Sequence, residues 1–232
     1  MRKILDVFRS RLNSGAWAFL VLVIIEVLSN FLSENLTIGR LTPSEQILPH
    51  ALLYNYWVAF IALLLVLIAV FWLRNDRRRL RWAVFAVNSL FTAQLFIASL
   101  LLVLRLVQSV KITVLNLIGD ALIIFISNLL IFALWYWFID SANTRFFKQT
   151  DQVTWDFLFP QRQAELSGYA NWTPHFFDYL FLAYTTSVAF SPTETAPLSR
   201  AAKLLMMTQS AISLIAIVVV AGTAINILAG SA

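Results

Sequence analysis

Residues 184–200 read YTTSVAFSPTETAPLSR and lie between two apolar segments near the C-terminus. How this stretch is read decides the number of membrane crossings. As a hairpin between two full spans, it gives six. If the apolar segment before it dips in and returns, it gives five spans and a re-entrant helix over 174–190.

The rest of the chain establishes its environment. Of its 232 residues, 60% are hydrophobic and 12% are charged, where soluble domains are nearer half apolar and a quarter charged. Ala51–Leu73 and Trp82–Leu104 are free of charge and exceed the roughly 18 apolar residues that mark a membrane span. The expectation is one all-α membrane domain, a polytopic helix bundle. The net charge of +5 is read as membrane orientation rather than nucleic-acid binding, because the basic residues gather at helix ends. There is no cysteine, which removes disulfides, thiolate metal sites and cysteine nucleophiles.

Hydropathy places helices near 14–31, 50–73, 82–104, 112–139, 174–190 and 199–229, with the basic N-terminal stretch read as leading into an uncleaved first helix. Thr42-Pro43-Ser44-Glu45 and Ser191-Pro192-Thr193-Glu194 offer a hydroxyl cap, Pro at the first helical position and Glu at the third. Thr173-Pro174 offers the cap and proline alone. With six spans and the N-terminus inside, 12 of the 17 Lys and Arg fall on the inner side. This excess sets both termini in the cytoplasm. The loop 140–173 is then cytoplasmic, read as an interfacial segment with its aromatics (TRFF and WDFLFP) on the membrane, or else as a partner-binding surface.

Polar residues recur on single faces of four helices: Glu26, Asn30 and Ser33; Asn88, Thr92 and Ser99; Asn116, Asp120 and Ser127; Gln209, Ser213 and Thr223. Lipid would penalise those faces, so they should point inward. By helical rise, Glu26 stands ~18 Å above the inner end of its helix and Asp120 ~12 Å below the outer end of an oppositely directed one. The two carboxyls therefore share a depth, with Arg105 above them. Glu26, Asp120 and Arg105 form a candidate proton or cation site; the alternative is that each carboxyl only holds helices together.

Phosphate loops and hydrolase elbows are absent from the sequence. His50 and His175 fall on opposite sides in this topology. Neither an enzyme nor a cofactor or metal is expected, and the partners expected are the lipid bilayer and a second copy of the chain.

Ser187-Val188-Ala189-Phe190-Ser191 faintly resembles a potassium-channel filter loop, which would make Thr185, Thr186, Ser187 and Ser191 pore-lining in an oligomer. Both filter glycines are replaced, and four preceding spans bring the loop in from the wrong side. A second resemblance rests on Trp155–Pro160, Phe177-Asp178-Tyr179-Leu180-Phe181, Ala189–Glu194, Pro197-Leu198, Lys203–Met207 and Gln209-Ser210 through Asn226. This run, about a third of the chain, resembles the C-terminal part of a group of uncharacterised bacterial inner-membrane proteins. It is similar to a domain-of-unknown-function family, although Pro192-Thr193-Glu194 stands where that family usually has Ser-Asp. The resemblance implies a bacterial plasma-membrane location and no activity. Asp178 is expected to favour the positive end of its helix, and Glu194 to cap the next turn. The functions expected are ion or proton movement through the bundle interior, a non-transporting scaffold working through 140–173, or an oligomeric pore-loop channel.

Overall fold

A computed structural model describes residues 18–29, 31, 49–74, 76–107, 114–140, 155–163, 172–191 and 194–230. Most of these are helical: α1 (Ala18–Ser29), α2 (Pro49–Leu73), α3 (Arg77–Val107), α4 (Val114–Ile139), α5 (Pro160–Gln163), α6 (Phe176–Ala189) and α7 (Arg200–Gly230). Two short strands, β1 (Phe157–Leu158) and β2 (Ala196–Pro197), complete the described elements.

Stretches of α3, α4 and α7 are long and apolar enough to cross a membrane: Arg78–Leu104, Leu117–Ile139 and Arg200–Thr223. Much of their surface faces outward, with Phe96, Ile97, Leu104 and Leu214 exposed. Water would penalise such faces and lipid would not. The polar stripes turn inward as expected: Asn88, Ser99, Asp120, Ser127, Gln209, Ser213 and Thr223 are all buried. Asn30, Ser33 and the Thr42–Glu45 capping motif lie outside the described residues.

The chain forms two compact units, one of residues 1–127 and 216–232, the other of residues 128–215. In the first, α2 packs on α3, and Ile61, Ile68, Val87, Phe91 and Leu102 are buried. In the second, the end of α4 is enclosed nearly all round, from Ile131 to Trp135 and Tyr136. A helix apolar on every side must be surrounded by other elements. Here the surrounding includes Phe157, whose ring stands 5.1 Å from that of Tyr136.

One helix start differs from the sequence expectation, and the start of α7 falls where it was expected. α6 is capped by His175, not Thr173, with Asp178 Oδ2 accepting the His175 N–H at 2.6 Å. The carboxylate also suits the positive helix end, as expected. α7 is capped by Ser199, whose Oγ accepts the Ala202 N–H at 3.1 Å. Glu194 sits in a turn rather than a helix, and residues 192–193 of its expected capping motif lie outside the described residues.

The larger difference concerns the direction of the chain after α6. Phe190 ends that helix in the left-handed region, at φ 50°, a strained conformation for an aromatic residue. The chain then comes back. β2 pairs antiparallel with β1, Phe157 opposite Pro197 and Leu158 opposite Ala196, and Leu198 N–H donates to Asp156 O at 2.9 Å. The segment before α6 and the segment after it are thus hydrogen-bonded to each other. The expectation, which set 140–173 and the hairpin over 191–199 apart, contained no such pairing. Phe157 and Phe159 are also buried within the unit, not laid outward on a lipid surface; TRFF lies outside the described residues.

Candidate functional site

The returning segment makes α6 and α7 start at the same end of the second unit, where α4 stops. At that end the chain gathers a buried ion pair. Asp140, the residue after α4, is fully buried. Its Oδ2 accepts from Tyr179 Oη at 2.6 Å and from Arg162 Nη2 at 3.1 Å, and its Oδ1 accepts from Asp156 N at 3.4 Å. One carboxylate therefore joins α4, the β1 segment, α5 and the first turns of α6.

Arg162 is held from several sides. Its Nη1 donates to Phe157 O at 2.8 Å. Its guanidinium lies 3.8 Å from the Trp155 ring centroid, 5.2 Å from Phe159 and 5.9 Å from Trp172. Ring faces attract the cation, and the planar guanidinium stacks where an ammonium could not. Paired charges of this kind remain costly to desolvate, so the added hydrogen bonds and rings are what make burial of the pair tolerable.

Deeper along the same helices lies a second polar junction. Gln209 on α7 donates from Nε2 to Ala183 O and to Ser187 Oγ, both at 2.8 Å. Tyr136 Oη donates to its Oε1. Asn128 Nδ2 reaches Ser213 Oγ at 2.7 Å and Gln209 O at 3.2 Å. Gln209 is nine residues into α7, and Ala183 and Ser187 are a comparable distance into α6, so these two helices run in the same direction. α4 runs opposite to both. At about 1.5 Å per residue, the 14 residues of α6 cover about 21 Å.

Several residues expected to carry chemistry have local roles. Thr185 and Thr186 donate to Leu182 O at 3.0 and 2.7 Å, closing hydroxyls onto their own helix. Ser187 is buried against Gln209. Ser191 follows Phe190 at the bend, and Glu194 is exposed in the returning segment. Glu26 on α1 and Asp120 on α4 are both buried in the first unit. Arg105 falls near the end of α3, and its side chain lies outside the description.

The sequence reading passed over Asp140, Arg162 and Tyr179. Asp140 read as the first residue of the loop 140–173, and Arg162 as one basic residue of that loop. A usable signal was present: Arg162 stands close to Trp155, Phe159 and Trp172 in sequence, a cation among aromatic rings. Among the described residues no cluster of His, Asp and Glu suits a metal ion. Compared with known protein families, with curated proteins and with solved structures, the chain matches none.

Proposed function

We propose that the chain is a membrane protein of five spans with α6 re-entrant, and that the returning segment lines a path for cations in an assembly of several copies. The observation that carries this reading is the β1–β2 pair, which brings the chain back to the end where α6 began. A helix of about 21 Å is short of the roughly 30 Å hydrocarbon core. Irregular backbone at such depth is tolerated where protein covers it or water fills a cavity. The C-terminal end of α6 carries the negative end of the helix dipole, which favours a cation there.

Charge placement supports the same topology. α6 and the start of α7 then share the inner side, so Arg200 and Lys203 join Arg74, Arg77–Arg79, Arg81, Arg145, Lys148, Arg162 and the four basic residues of the N-terminus. Fourteen of the 17 Lys and Arg lie inside, a stronger bias than six spans give. The C-terminus then lies outside, and a bacterial plasma membrane is the setting the C-terminal resemblance implies.

The topology is tested by cysteine labelling in this cysteine-free chain. Thr195 is buried, so Leu198, 47% exposed, is the better probe. Leu198→Cys should react from the same side as Arg74→Cys; reaction from the opposite side overturns the re-entrant reading. Purified protein in liposomes should pass K+ or Na+ and exclude Cl−, and vesicles with no cation flux overturn the conducting role.

The buried Glu26 and Asp120 favour a second reading, proton or cation movement through the first unit. Flux that survives in the Glu26→Gln and Asp120→Asn variants alike removes it.

A further inference from the structure

The turn between α2 and α3 and the first turns of α3 together carry five arginines, Arg74, Arg77, Arg78, Arg79 and Arg81, against one aspartate, Asp76. Asp76 N donates to Phe71 O at 3.0 Å and Leu80 N donates to Asp76 O at 2.9 Å, so the two helices are joined closely. The carboxylate is already engaged. Its Oδ1 accepts the Arg79 N–H at 3.2 Å, and its Oδ2 lies 3.3 Å from Arg79 Nε. Arg79 nevertheless remains 69% exposed, and Arg78 is exposed beside it.

These arginines border a groove of about 540 Å3 lined by Phe71, Arg78, Arg79, Trp82 and Ala83. The groove lies open on the protein surface rather than enclosed. Its aromatic wall is unusual for a purely solvated charge run. Trp82 is 58% exposed, and its ring meets Phe85 edge-on at 6.0 Å. The apolar window of α3 begins at Arg78, so guanidinium groups and indole stand where hydrocarbon gives way to headgroups.

We propose that this groove seats the phosphate of an anionic phospholipid from the surrounding membrane. Arg78 and Arg79 hold the phosphate; Phe71 and Trp82 receive the glycerol and the first acyl carbons. A lipid fits better than a free phosphate because the aromatic wall continues into the apolar outer face of α3. The assignment rests on the membrane reading alone and is independent of whether α6 re-enters.

The test uses the full chain in detergent micelles, titrated with phosphatidylglycerol, phosphatidylcholine or glycerol phosphate, with bound lipid counted by native mass spectrometry. Phosphatidylglycerol should be retained in preference to phosphatidylcholine. Arg78→Ala with Arg79→Ala should weaken that retention roughly thirtyfold, as expected for losing two basic contacts at a membrane surface. Arg78→Lys with Arg79→Lys should restore most of it, and Arg200→Ala should leave it unchanged. Equal retention of both lipids, no effect of the double alanine variant, or equal binding of glycerol phosphate overturns the proposal. Protein that stays soluble without detergent and retains no lipid overturns the membrane reading itself.

Discussion

The hydroxyl bonds described in α3 of the first unit are local, while the carboxylate and amide bonds of the second reach far along the chain. In α3 of the first, hydroxyls close onto their own helix: Ser89 to Phe85 O at 2.8 Å, Thr92 to Asn88 O at 2.7 Å and Ser99 to Leu95 O at 2.8 Å. Thr223 does the same to Val219 O at 2.7 Å. In the second unit, Asp140, Gln209 and Asn128 bond to residues far away in sequence. A hydroxyl bonded to its own helix is satisfied wherever that helix sits. A carboxylate or amide bonded to a neighbour fixes the register and direction of both elements. The second unit therefore holds one specific arrangement, a short helix followed by a returning strand.

Substitutions can break this contrast, beginning where the loss is greatest. Asp140→Ala leaves the Arg162 guanidinium buried beside Phe157 and Trp155 without its carboxylate. Removing one partner of a buried pair costs about 3–5 kcal/mol, so unfolding in detergent, followed by near-UV circular dichroism, should shift by that amount. A loss below ~1 kcal/mol, the range of exposed pairs, would show that the pair is not buried as described.

Gln209→Leu leaves the Tyr136 hydroxyl without its acceptor and Ser187 without its donor. About 1–3 kcal/mol is expected per buried group left unsatisfied. The same denaturation measurement checks it, and Gln209→Glu separates lost shape from lost donors.

Ser99→Ala sharpens the contrast from the other side. Its hydroxyl serves only to close onto Leu95 O, a bond that adds little to helix stability. A change within ±0.5 kcal/mol is expected. A larger loss, seen in the unfolding midpoint, would place Ser99 in a network between helices.

The helices were largely legible because their causes are local. Apolar length put the last helix at about 199–229, against α7 at Arg200–Gly230. It put the fifth at 174–190, against Phe176–Ala189. The inward turn of Gln209 and Ser213 followed from their spacing on one face. Capping was read less well. Thr173 had suitable chemistry, but His175 holds the start of α6, because packing of the flanking segments decides where a helix begins.

The sequence by itself determined a helical chain with segments long and apolar enough for a bilayer, because hydropathy and helix length are properties of short windows. Only the tertiary structure decided the path of YTTSVAFSPTETAPLSR. Its direction depends on the β1–β2 pair, which joins residues about 40 apart, and on Asp140 meeting Arg162 and Tyr179. No local pattern encodes such a meeting. It arises when three segments are packed at the same end of α4, and that packing turns a stretch resembling an outer hairpin into a strand that returns.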